Sequence, residues 1–251
     1  MLFKNEIKFI KSLSERSARA DYGRFVVEGD KMVGELADAG LEVENIYLTE
    51  RSRLFGTEGT VTITPKEMER ISGLRTPSSA LAVVHIPQRE FSPQCAKSEL
   101  VLALDDLQDP GNLGTIIRIA DWYGIRHIFC SEHTVDCYNP KCVQATMGAL
   151  FRVEVHYGNL PAMLREAAER GVAIYGTLLD GEDIYQKTLS ESGIIIIGNE
   201  GNGISAEVER LVQTRLFLPS WPTDCRSSES LNAAVATAVV CAEFRRRQIM
   251  K

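Results

Sequence analysis

The run LVLALDDL, residues 100–107, is apolar almost without interruption up to Asp105. That is the pattern of a strand covered on both faces. Beyond a Pro-Gly turn, Leu113, Ile116, Ile119, Ala120 and Tyr123 recur at helical spacing. They predict an amphipathic helix with Asn112 as its N-cap and Arg118 on the side away from the apolar stripe. Strand and helix patterns then alternate. HIFC (127–130) reads as a strand, PKCVQATMGAL (140–150) as a helix and RVEVHY (152–157) as a strand. NLPAMLREAAERG (159–171) reads as an Asn-capped helix with proline in its first turn. The strands VAIYGTLL (172–179) and GIIII (193–197) follow, then a helix from Ser205, a strand through RLFLPS (215–220) and a long helix from about Ser228. Such alternation predicts a mostly parallel sheet with helices on both faces.

The first part of the chain has shorter, mixed signals. Residues 8–23 look helical, 24–29 a strand, 30–40 a helix, 65–72 a short helix, and strands fall near 45–49, 60–64 and 80–86. A polar, proline-marked stretch at 85–99 reads as a connection. The expected organisation is therefore a small α/β domain over residues 1–90 and a larger one over 98–251.

Composition adds limits. With 44% hydrophobic and 25% charged residues in 251, the chain is an ordinary globular protein. A net charge of −6 gives no overall basic footprint for nucleic acid. Residues 1–27, however, carry Lys4, Lys8, Lys11, Arg16, Arg19 and Arg24 against Glu6, Glu15 and Asp21, a local excess of cations. The start lacks a signal peptide's apolar core, and Ile194–Ile197 is far too short to span a bilayer, so a cytoplasmic protein is expected. The six cysteines contain no Cys-x-x-Cys pair and are too sparse for a disulfide scaffold. Cys130, His133, Cys137 and Cys142 cluster in sequence, but their spacing fits no common zinc pattern, and no metal ligand is assigned. Neither a dinucleotide fingerprint nor a Walker A sequence occurs.

Three segments carry candidate chemistry. In the first, Gly114 leaves space one turn below Arg118, and helical side chains lean toward the N-terminus. The guanidinium would then reach back over the Asp109–Asn112 loop, at the carboxyl edge of the sheet where open α/β folds bind ligands. A plainly solvated arginine is the alternative. The second is GNEGNGIS, residues 198–205, where three glycines in six residues permit close backbone approach to a ligand. Glu200 stands at the strand mouth, where a buried carboxylate needs a partner; an elaborate turn is the alternative. In the third, a strand ends at Pro219 and an irregular loop leads to Ser230, Leu231 and Asn232 at the start of an alanine-rich helix. Helix capping would equally explain Ser230 and Asn232. Each segment ends a strand and enters a helix, so all three could meet at one sheet edge.

The order Asn112-x-Gly114-x-x-x-Arg118, then Gly198-Asn199-Glu200-Gly201-x-Gly203, then Pro219 and Ser230-Leu231-Asn232 resembles the three motifs of the SpoU (TrmH) family. These are S-adenosylmethionine-dependent RNA ribose 2'-O-methyltransferases of the SPOUT superfamily. FVVEGDKMVGELADAG and ISGLRTPSSALAVV are similar to the family's N-terminal, L30e-like substrate-binding module. The resemblance implies a trefoil-knotted α/β methyltransferase domain, a homodimer and no catalytic metal. It implies catalytic roles for Arg118, Asn112, Glu200, Ser230 and Asn232. Cofactor contacts are implied for Thr177, Gly198, Asn199, Gly203, Leu218 and Leu231. The substrate is then RNA, with rRNA favoured because an RNA-binding module precedes the catalytic domain. A tRNA substrate, or a non-catalytic RNA-binding or assembly factor keeping the fold, are the alternatives. One departure stands out: the loop from Pro219 to Ser230 is longer than the family's, lacks its usual glycine, and carries Trp221, Pro222, Cys225 and Arg226.

Overall fold

A computed structural model describes residues 2–222 and 230–249. The chain forms two compact units, Met1–Gln88 with Asp136–Arg152, and Arg89–Val135 with Val153–Lys251.

The first unit has a four-stranded sheet of β1 (Arg24–Glu28), β2 (Val43–Leu48), β3 (Val61–Thr62) and β4 (Ala80–His85), in the order β1-β4-β2-β3. β4 runs antiparallel to both neighbours, and β2 pairs β3 in parallel. Helices α1 (Lys4–Ser12), α2 (Arg16–Tyr22), α3 (Asp30–Glu35) and α4 (Pro65–Ile71) belong to this unit. The helix expected over 8–23 is two helices. The Leu13 and Ser14 carbonyls accept from Arg19 Nη1 at 2.9 and 2.8 Å, which turns the chain between them. Arg19 is thus a buried structural cation, ion-paired to Asp136 at 2.6 Å, and Arg24 pairs with Glu44. Of the six cations counted in residues 1–27, Lys4, Lys8, Lys11 and Arg16 remain exposed. The segment Asp136–Arg152, with α6 (Pro140–Thr146), packs in this unit: Tyr138 lies against Phe25, ring centroids 4.7 Å apart, and Gln144 donates to the Glu28 carbonyl.

The second unit is built on a six-stranded sheet of β5 (Leu100–Leu104), β6 (His127–Ser131), β7 (Glu154–Gly158), β8 (Ile174–Asp183), β9 (Gly193–Ile197) and β10 (Thr214–Phe217). The order is β10-β8-β9-β5-β6-β7 and every pairing is parallel. β5 and β9, the central pair, are buried along their whole length, as their continuous apolar runs require. Helices α5 (Pro110–Trp122), α7 (Leu160–Glu169), α8 (Ala206–Glu209) and α9 (Ala233–Ile249) complete it. Asn159 caps α7, accepting from Ala162 N–H.

Two further expectations need correction. The N-cap of α5 is Asp109, whose carboxylate accepts from Asn112 N–H at 2.7 Å. Pro110, with its fixed φ and missing donor, occupies the first helical position and sets the N-cap three residues before Asn112. The buried face of α5 is Leu113, Gly114, Ile116, Ile117 and Ala120, with Ile119 only half-buried. Helix α9 begins at Ala233; Ser228 lies outside the described residues, as do Cys225 and Arg226.

Candidate active site

Parallel pairing puts the carboxyl ends of β5 and β9 side by side, and the first two candidate segments leave from those ends. The ladder continues one step beyond β5, where Asp105 N–H donates to the Ile197 carbonyl at 2.9 Å. The buried Asp105 carboxylate accepts from Ser205 N–H at 2.7 Å. Ser205 therefore opens α8 held through its backbone, and its side chain makes no capping bond. Asp106 has φ 57°, a left-handed conformation uncommon outside glycine. In it the Asp106 carbonyl accepts from Asn199 Nδ2 at 2.7 Å, and its N–H donates to Ser131 Oγ. Asp105 and Asp106 thus fix both loops to the sheet. In the sequence they mark only the end of an apolar run, because their partners Ser205, Asn199 and Ser131 are far away along the chain.

The glycine-rich loop closes on itself. Asn199 and Gly203 exchange backbone hydrogen bonds of 2.9 and 3.0 Å, and Asn199 Oδ1 accepts from Gly201 and Asn202 N–H. A Cβ on Gly198 would lie 2.3 Å from the Gly203 carbonyl carbon, so only glycine fits the close approach. Thr177, half-buried on β8, donates to the Ile196 carbonyl at 3.2 Å. Leu218, just past β10, is half-buried.

The three segments are joined by side chains. Asn112 Nδ2 donates to Glu200 Oε1 at 2.8 Å, and Asn232 Nδ2 donates to Asn112 Oδ1 at 2.9 Å. Asn232 Oδ1 in turn accepts from Ala234 and Val235 N–H, capping α9. The capping and bridging readings of Asn232 are both true of one side chain. Glu200 is exposed, so its partner is not demanded by burial; Asn112, at the third position of α5, supplies it. Arg118 is also exposed, and among the described residues it has neither a hydrogen-bond nor an ion-pair partner. Ser230 and Leu231 are exposed beside Asn232. Helix α9 is anchored near the end of α5, with Arg245 donating to the carbonyls of Tyr123 and Gly124. Arg247 donates to the carbonyls of Ile184 and Tyr185. No described helix is long and apolar enough to cross a membrane.

A six-stranded parallel sheet carries a glycine loop and a polar triad at its carboxyl edge, the edge at which open α/β sheets bind small molecules. The SpoU rRNA Methylase family model matches residues 99–242, and the MRM3-like substrate binding domain model matches residues 4–82. The chain belongs to the SpoU methylase family. It is 32% identical to the 23S rRNA (guanosine(2553)-2'-O)-methyltransferase RlmP of Bacillus subtilis, over 96% of both chains. Among solved structures, a TrmH-family protein from Porphyromonas gingivalis superposes with TM-score 0.86 and 38% identity, covering 98% of this chain and 99% of that one. The AdoMet-bound rRNA methyltransferase of Sinorhizobium meliloti superposes with TM-score 0.84 and 26% identity, covering 98% and 96%.

Proposed function

We propose that this chain transfers a methyl group from S-adenosylmethionine to a ribose 2'-hydroxyl of rRNA. The observation that carries the reading is the hydrogen-bonded chain Glu200, Asn112, Asn232. It ties three sequence-distant segments into one polar site, and Arg118 stands on the same helix as Asn112, exposed.

The residues fit the cofactor. The close approach of Gly198 to the Gly203 backbone holds the glycine loop closed, and Leu218, half-buried, with Leu231, exposed, offers apolar surface for a base ring. Thr177 and Asn199 brace the loop's entry. When bound, S-adenosylmethionine supplies an electrophilic methyl on a sulfonium centre. The chain's own task is the nucleophile, since a ribose hydroxyl is weak until its developing negative charge is stabilised. The Arg118 guanidinium, a planar fork of donors, is available to contact the ribose or its phosphate, orient the hydroxyl and stabilise the oxyanion. Asn112 and Glu200 hold the ribose side of the site in register, and Ser230 and Asn232 line it from the start of α9. The 2'-hydroxyl is also what distinguishes RNA from DNA.

The first unit is the RNA-docking part in this reading. It has a cleft of about 520 Å³ whose lining includes Thr49, Arg51, Thr76 and Ser78, and Lys4, Lys8, Lys11 and Arg16 are exposed on its helices. A cytoplasmic homodimer with a knotted catalytic domain completes the proposal. Trp122 on α5 and Val235 and Ile249 on α9 are 83%, 50% and 84% exposed, apolar surface suited to a second copy. The test is a nucleotide-resolution map of ribose methylation in a deletion strain. The proposal expects loss of methylation at an rRNA position, restored by the wild-type gene. An unchanged rRNA map would refute it, and loss confined to tRNA would move the substrate.

A further inference from the structure

At the opposite, amino edge of the same sheet, His127 opens β6 and Glu154 opens β7, its register partner. His156 follows two residues along β7, on the same face as Glu154. His127 Nδ1 lies 3.4 Å from His156 Nε2; Glu154 Oε2 lies 3.7 Å from the first nitrogen and 3.8 Å from the second. None of these is the ~2.9 Å of a good direct hydrogen bond, yet all three atoms lie within 3.8 Å of one another. A point equidistant from atoms with these separations is about 2.1 Å from each, which matches zinc–imidazole and zinc–carboxylate bond lengths.

We propose that His127, Glu154 and His156 bind a divalent transition-metal ion, zinc fitting best, at a site separate from methyl transfer. Two imidazoles and one carboxylate suit zinc, nickel or copper better than magnesium or calcium, which take oxygen ligands. The surroundings resemble the outer shell that metal-binding histidines require. The ring of His156 hydrogen-bonds the Arg89 backbone, an outer contact of the kind that fixes a tautomer. Phe91 covers both imidazoles, with ring centroids 5.9 and 4.9 Å away. Arg89 lies 3.9 Å from the other carboxylate oxygen of Glu154, offsetting part of the charge that the ion would meet. Side-chain exposures of 16%, 26% and 5% for His127, Glu154 and His156 leave an approach for the ion and room for a water as fourth ligand. The amino edge is remote from the glycine loop along the strands. The ion would therefore tie β6 to the outermost strand β7, a structural and not a catalytic role.

The experiment uses full-length protein treated with chelator and dialysed free of it. Calorimetry with zinc is expected to show one equivalent bound, with a zinc-dependent rise in melting temperature as for any ligand specific to the folded state. Cobalt in its place is expected to give visible absorption typical of a four-coordinate nitrogen and oxygen site. His127→Gln and Glu154→Gln, both at partly exposed positions, are expected to weaken zinc at least 10-fold while S-adenosylmethionine binding, measured in parallel as a fold check, stays unchanged. Absence of zinc binding and of the melting shift in the wild-type protein overturns the proposal. Binding that persists undiminished in both variants also overturns it, because the ion then sits on other groups.

Discussion

Asn112 and Glu200 lie far apart in sequence, and their side chains meet at 2.8 Å, amide to carboxylate. The contact joins the start of α5 to the loop after β9, and Asn112 passes the connection on to Asn232 at 2.9 Å. A bridge through one side chain makes the two loops energetically dependent on each other. Asn112→Ala and Glu200→Ala are therefore expected to be non-additive, with a coupling of about 0.5–3 kcal/mol in transition-state free energy, as for residues in one network. Single-turnover rates for the two variants and the double variant check this. Strict additivity would mean that the bridge has no part in turnover.

The glycine loop makes a steric prediction. Gly198→Ala places a methyl group 2.3 Å from the Gly203 carbonyl carbon, and backbone on the far side cannot rotate away. A destabilisation of about 1–3 kcal/mol is expected, the cost of overpacking, together with loss of S-adenosylmethionine affinity. Denaturant unfolding and calorimetry read the two effects separately. Gly201→Ala, whose added Cβ would have only the Asn199 side-chain oxygen at 3.6 Å nearby, is the matched control and is expected to be far milder.

Charge in the first unit divides into structural and exposed cations. Arg19→Ala removes the partner of Asp136 and two carbonyl contacts. It is expected to cost roughly 3–5 kcal/mol, as when a buried pair loses one member. Lys4→Ala, Lys8→Ala and Lys11→Ala together are expected to leave stability nearly unchanged, weaken RNA binding and flatten its dependence on salt through fewer released counterions. Filter binding across a salt series separates these outcomes. Equal RNA loss in the Arg19 variant at full fold would contradict the division. Deleting residues 1–90 is a poor substitute, because it strips Asp136–Arg152 of its packing partners.

A pH effect follows from Glu67. Hydrogen bonds from the backbone of Thr64 and of Leu2, then the Thr64 hydroxyl, lower its pKa to about 2. A carboxylate depressed on folding contributes stability that is fully present above its unfolded pKa near ~4.3 and lost as pH falls toward the folded value. Wild-type stability is thus expected to decline from about pH 4.5 down to about pH 2 more steeply than that of Glu67→Gln. Urea titrations across that range measure the difference. Parallel curves would show that the hydrogen bonds held by Glu67 contribute no such linkage.

Much of the catalytic unit was legible because each central strand is a single apolar run and helices α5 and α7 keep an apolar face at helical spacing. Caps with a local cause were legible too, such as Asn159 before Leu160-Pro161. The start of α5 was misplaced since Asp109 and Asn112 are both good caps, and Pro110 decided between them. The break between α1 and α2 depends on where Arg19 finds its partners, one of them Asp136, and no local pattern records a contact at that separation. The same holds for His127, Glu154 and His156, which strand register brings together, whereas Cys130, His133, Cys137 and Cys142 form a cluster in the sequence. Among the described residues it forms no such group of ligand atoms.

The most direct measurement is single-turnover methyl transfer by Arg118→Ala and Arg118→Lys with RNA saturating. The exposed guanidinium has no described partner to lose, so both variants are expected to fold, with stability within ~0.5 kcal/mol of wild type, and to bind S-adenosylmethionine normally. Turnover is expected to fall by about 10²-fold or more in Arg118→Ala, the scale of one lost preorganised donor. Arg118→Lys is also expected to be strongly impaired, because it keeps the charge without the planar fork. Turnover near wild type in Arg118→Ala would make Arg118 a solvated helix residue and contradict the account.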